Sequence, residues 1–167
     1  MWRAHPDNET DAAWKDLLVT MTKALTIADK HGLALGVEPE TGNVVSSARR
    51  ARQLLDELRS PRLKIVLDPA NLFRPGDLRR SDEVLDEAFD LLGSDLVMAH
   101  AKELMAGGEA GGVALGTGVL DWDKYLALLR SARFAGPLVL HGFDEQDVDA
   151  SLKFLREKLG GRQRVNR

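Results

Sequence analysis

The chain has no cysteine among its 167 residues. That excludes disulfides, thiolate-ligated metals and a cysteine nucleophile. It has no excess of positive charge either: 23 Lys and Arg stand against 26 Asp and Glu, a formal net charge of −3. Such a balance gives no general affinity for nucleic acid. No apolar run approaches the ~18 residues of a membrane span. The opening MWRAHPDNETD lacks an apolar signal core. A cytoplasmic protein with no membrane and no nucleic-acid partner is the expectation. No linker or repeat divides the sequence, so residues 1–159 read as one domain. At 44% hydrophobic the chain has enough apolar side chains for a real core. The basic tail GGRQRVNR, residues 160–167, reads as a disordered, solvated end.

What the chain does have is alternation. From 12 to 31 the positions Trp14, Leu17, Leu18, Met21, Leu25 and Ala28 recur at helical spacing, and Gly32 follows. Strands are expected over 33–37, 63–67, 95–99 and 137–140. Helices are expected over 46–60, 81–93, 122–136 and 147–160. Ser46 or Ser47 is the cap of the first of these, and Asp121 caps the helix that starts at Trp122. The four short runs are apolar throughout, as parallel strands covered on both faces are. The order is a helix followed by four strand–helix units, an α/β chain with a parallel sheet.

Each strand run leads into a metal-ligating type of residue. LALGV meets Glu38, LKIVL meets Asp68, DLVMA meets His100 and PLVL meets His141. Any one of these could be a capping or solvated group at a loop entrance. Four in four points to a shared site, because parallel α/β folds build their sites at the carboxyl edge of the sheet. Two carboxylates and two imidazoles suit one divalent ion of the Mn²⁺, Zn²⁺, Fe²⁺ or Co²⁺ type. Mg²⁺ and Ca²⁺ prefer oxygen ligands alone. His5 and His31 stay outside the pattern.

The segments GLALGVEPETGNVV, LKIVLDPANL, AHAKE, GTGVLDWDKYLALL and GPLVLHGFDEQDVDASLKFLR resemble the sugar phosphate isomerase/epimerase family of xylose isomerase-like TIM barrels. The resemblance implies half of a (β/α)8 barrel, with the four strands matching strands 5–8 and the first four strands absent. It implies a metal held by Glu38, Asp68, His100 and His141, with His standing at 141 where the family carries Glu. It also implies proton transfer next to a carbonyl through an enediolate, on a sugar or sugar phosphate. Glu38 would be ligand and base. His141 would be a ligand or the opposing acid, since its ordinary pKa lies near ~6.5. The pairing of two glutamates does not carry over whole.

Neighbouring residues extend the site. Asn71 follows Asp68 by three and is either a substrate contact or a turn residue. Lys102 shares a strand face with His100 and can steady an enolate oxygen or a phosphate. Glu40 would orient a ligand or Lys102, or lie on the surface. Asn43 is a weaker candidate, and Glu103 is expected to point away from the site. The loop ELMAGGEAGGVALGTGVLD holds six glycines. It reads as a flexible lid, or as amides for a phosphate. A dehydratase on the same metal site is a second reading, and a non-catalytic metal- or sugar-binding half-barrel a third. DNA repair, by analogy with the distantly related endonuclease IV, would need more histidines and a basic groove. An open four-stranded sheet leaves two edges and an apolar face, so a homodimer or larger assembly is expected.

Overall fold

The computed structural model describes residues 4–74 and 76–160. The tail beyond residue 160 and the first three residues, on which the sequence reading also drew, lie outside the described residues. Helix α1 (Asp11–Lys30) starts at Thr10, whose hydroxyl accepts from the Ala13 amide. It ends at His31, and Gly32 takes a left-handed φ of 66°. Then come β1 (Leu35–Val37), α2 (Ala48–Leu58), β2 (Leu63–Leu67), α3 (Ser81–Leu92), β3 (Leu96–Ala101), α4 (Trp122–Ser131), β4 (Leu138–Leu140) and α5 (Val148–Gly160). Ser47 caps α2 and Asp121 caps α4 through their side-chain oxygens. Helix α4 stops five residues short of Gly136. Ala132 caps it and Arg133 turns left-handed, at φ 54°.

All four strands are parallel and lie in chain order, β1-β2-β3-β4. Successive helices pack side by side along one face of this sheet. Burial alternates along β2: Leu63, Ile65 and Leu67 are buried against the helices, and Lys64 and Val66 lie on the other face. Ala99 and Ala101 of β3 join the buried side, where Leu54, Leu85, Leu92 and Tyr125 fill the layer beneath. The pairing of β2 with β3 slips once: Ile65 faces Leu96, but Val66 faces Met98. Val97 is therefore an extra residue.

The second face of the sheet has no covering layer among the described residues. Val66, Val97, Met98 and Val139 sit there, outside the core cluster. Gly36 keeps β1 close to β2, since a Cβ at that position would lie 2.7 Å from Val66 Cγ2. Among the described residues nothing pairs with the outer edge of β1 or β4. Among the described residues no helix is long and apolar enough to cross a membrane.

An uncovered apolar face between two unpaired edges favours association. In solution this 167-residue chain should be a homodimer or larger, burying on the order of 2,000 Å². Sedimentation equilibrium at low micromolar concentration checks this, and a monomer with a cooperative melt would contradict it.

Candidate metal and active site

Parallel strands send all their carboxyl ends to one edge, and the candidate residues meet there. Glu38, Asp68 and His141 each follow a strand directly, and His100 is the fifth residue of β3, which runs further than its apolar stretch. Asp68 is fully buried. Its Oδ1 accepts from the Ala70 amide at 3.0 Å. Its Oδ2 faces Lys102 Nζ at 3.3 Å, His100 Nδ1 at 3.4 Å and His141 Nδ1 at 3.8 Å. None of these contacts is aligned as a hydrogen bond. Asp68 Oδ2, His100 Nδ1 and His141 Nδ1 are buried side-chain atoms without a hydrogen-bond partner.

Three orphaned lone-pair atoms converging on one point fit a cation, because unpaired buried polar atoms are costly. One ligand atom from each of Asp68, His100 and His141 lies within 4.8 Å of the others. The two imidazoles stack, with centroids 4.7 Å apart and planes 11° from parallel. Glu38, the fourth expected ligand, stands beside this trio and not within it. Its Oε1 is 3.2 Å from His100 Nδ1 and accepts from Asn71 Nδ2 at 2.8 Å.

Asn71 and Lys102 form the second part of the site. Lys102 is buried, and its Nζ donates to Asn71 Oδ1 at 2.7 Å. Asn71 thus links Lys102 to Glu38. Glu40 takes no part in this chain. Its carboxylate accepts from Asn43 and makes no hydrogen bond to Lys102. Asp68 and Asn71 hold the ammonium instead. Tyr125, buried on α4, donates to the His100 carbonyl at 3.0 Å and anchors that end of β3. Burial, with the Asp68 charge adding, pushes its phenol pKa well above 10.

Two contributions were not visible in the sequence. Glu103 does point away from Lys102, but it is 1% exposed and gathers the glycine-rich loop around itself. Its carboxylate accepts from the amides of Leu104, Gly116 and Leu120 and from Trp122 Nε1. Glu103 holds the loop at Gly116 and Leu120, while residues 105–107, 109–110, 112 and 116–119 are exposed. Gly111 and Gly142, both with left-handed φ, close on the Lys102 stem. A Cβ on Gly142 would lie 2.9 Å from Lys102 Cγ and Cδ.

Asp68 first, then Glu38, raises the His100 pKa from 6.5 to about 9, against the opposing effect of burial. The raised value means that protonation of His100 stabilises the metal-free fold. That contribution is complete below pH about 6.5 and is lost as pH rises through about 9. Melts in chelator should fall in temperature across that window for wild type and much less for His100→Asn; equal slopes would refute the assignment. Glu103→Ala leaves four donors facing a hole and should cost on the order of 3 kcal/mol or more. Thermal denaturation measures the loss. Acetate, but not chloride at equal ionic strength, should restore part of it.

The comparisons agree with this architecture. A protein-family model described as a xylose isomerase-like TIM barrel matches residues 2–158. No curated protein matches by sequence. Among solved structures, a xylose isomerase domain protein from Planctomyces limnophilus superposes with a TM-score of 0.72 at 25% identity. It covers 93% of this chain and 56% of its own. A D-allulose 3-epimerase from Methylomonas sp. gives 0.71 at 17% identity, covering 93% and 59%. The probable 3-DHS dehydratase AsbF from Bacillus anthracis gives 0.70 at 18%, covering 87% and 57%. The chain therefore spans a little over half the length of these structures. With four parallel strands in chain order and its candidate site at their carboxyl edge, it belongs to the xylose isomerase-like TIM barrel family.

Proposed function

We propose that this chain carries the metal site of an isomerase or epimerase acting on a sugar or sugar phosphate. We also propose that its strands correspond to strands 5–8 of the eight-stranded barrel. The observation that carries the functional reading is the convergence of Asp68 Oδ2, His100 Nδ1 and His141 Nδ1, three orphaned atoms at one sheet edge. The sequential order of the parallel strands and the half-length coverage of related structures support the second part.

Asp68, His100 and His141 would hold one divalent ion, with Glu38 able to join them. Two nitrogens in the set favour Mn²⁺, Zn²⁺, Fe²⁺ or Co²⁺. Such an ion would withdraw electron density from a substrate carbonyl and so acidify the neighbouring C–H. Glu38, held by Asn71, takes that proton on a carboxylate oxygen. The C–H electron pair moves toward the carbonyl oxygen and leaves an enediolate. Lys102 has three N–H donors, of which Asn71 Oδ1 takes one, while Asp68 Oδ2 lies 3.3 Å away as an unaligned ion pair. A remaining N–H can be given to the developing oxygen anion.

Proton return has two routes. Delivery by Glu38 to the adjacent carbon isomerises the substrate; delivery to the opposite face by His141 epimerises it. The inward-facing, buried Nδ1 of His141 favours a ligand role and therefore return by Glu38. The same first step also serves a dehydratase. A chain that binds metal or sugar without turnover is the non-catalytic outcome of the test below.

Metal-loaded protein incubated with ketoses in deuterated water should incorporate deuterium next to the carbonyl, read by NMR. Glu38→Gln should keep the metal and lose exchange by roughly 10²–10⁴-fold, as removal of a general base does. Metal binding without any exchange in wild type would leave only the binding role. Stereochemistry at the labelled carbon separates the two return routes.

A further inference from the structure

A positive charge already stands at the proposed metal seat. Lys102 Nζ lies 3.3 Å from Asp68 Oδ2, the same oxygen that faces His100 Nδ1 and His141 Nδ1. No hydrogen bond reaches that oxygen, and the other oxygen of Asp68 is turned to the Ala70 amide. An ion held by Asp68, His100 and His141 would therefore share its carboxylate oxygen with an ammonium. Charges can be counted. Glu38 and Asp68 bring two negative charges to the cluster, against three positive from a divalent ion and Lys102 together. Without Lys102 the two sides balance.

A lysine ordinarily relieves such crowding by swinging its long stem until the ammonium reaches water. Lys102 is confined. Its side chain is 7% exposed, and Nζ donates to Asn71 Oδ1 at 2.7 Å. Asn71 is itself buried and is fixed by its bond to Glu38. Gly111 and Gly142, both left-handed, lie against the stem. A Cβ would stand 3.2 Å from Lys102 Cε at Gly111, and 2.9 Å from Cγ and Cδ at Gly142. These glycines belong to the loops after β3 and β4, and Gly112 N joins the two loops by donating to the Gly142 carbonyl at 2.6 Å. An ammonium confined in this way stays beside any ion the trio binds and repels it. Burial keeps water and salt from screening that repulsion.

We infer, on the reading that Asp68, His100 and His141 form a metal seat, that Lys102 sets the metal affinity of this chain: its ammonium, confined by Asn71, Gly111 and Gly142, is a resident cation that weakens the hold on the ion and keeps loading reversible. Without metal it compensates Asp68. With metal it is the fixed charge that limits how tightly the ion is held. A lysine that only braced Asp68 for the ion would act with the opposite sign, and its loss would weaken binding.

Calorimetric titration of the chelator-treated full chain with Mn²⁺, at one fixed pH, compares wild type with Lys102→Met and Lys102→Gln. Both variants remove the charge and keep most of the stem's volume. The expected result is a Kd lower by about ten-fold or more in both variants, with a lower Tm than wild type in chelator. If removal of the charge unfolds the metal-free chain, circular dichroism follows the Mn²⁺ titration instead. Refolding at a Mn²⁺ concentration below the one that half-saturates wild type upholds the inference, and no refolding overturns it. An unchanged or higher Kd with folding intact overturns it and leaves the metal seat standing. Binding of Mn²⁺ by none of the three proteins overturns the inference and the metal seat together. Tighter binding in the variants upholds it even where wild type shows no deuterium exchange, which refutes the isomerase reading alone.

Discussion

A carboxylate oxygen that is fully buried and has no aligned hydrogen bond needs a positive charge nearby. Asp68 Oδ2 is that oxygen, and the geometry of the site is organised around it. His100, Lys102 and His141 reach it from β3, the loop after β3 and the end of β4. Asn71 then ties Lys102 to Glu38, at the end of β1. One anionic oxygen in the interior thereby brings together groups from four separate strand ends. In the metal-free state a proton on His100 and the Lys102 ammonium share the work of a cation. This is why the same cluster suits a metal, and why protons and metal would compete for it.

The alternation of helices with short apolar strands made the fold class legible, because that order builds a parallel sheet; the covering of both faces expected of such strands is seen on one face only among the described residues. The residues at strand ends were legible for a simple topological reason. Parallel strands joined by helices share one carboxyl edge, so the residue after each strand points to a common region whatever the loops do. The structure brings His100, Asp68, His141, Asn71 and Lys102 together at that edge. Glu38 touches His100 and Asn71 and does not enter the compact trio.

Loop structure was less legible. Glu103 reads as a charge at a loop entrance, and nothing local shows that Gly116, Leu120 and Trp122 will fold back onto it. Those contacts span 13 to 19 residues and depend on the path of the whole loop. Glu40 does not join the cluster and accepts from Asn43. Its spacing from Glu38 suggested a shared face, but the chain leaves β1 at Val37, and two-residue alternation stops where the strand stops. Gly142 carries no side chain to draw notice. Its role appears only when a Cβ is placed against the Lys102 stem.

The extra residue in β3 has a consequence for phase. Leu96 packs toward the helices opposite Ile65. In a regular strand, simple alternation from Leu96 would send Met98, His100 and Lys102 the same way, and Glu103 into the site. The slip at Val97 resets the count, so Met98 pairs with Val66 on the uncovered face and His100 and Lys102 turn toward Asp68. Odd and even positions thus exchange roles midway along one strand. Insertions and deletions between Leu96 and Ala99 are constrained by parity as well as by length. Losing the extra residue together with its bulge leaves the imidazole and ammonium in place. Keeping the residue while smoothing the bulge would exchange a basic site for an acidic one.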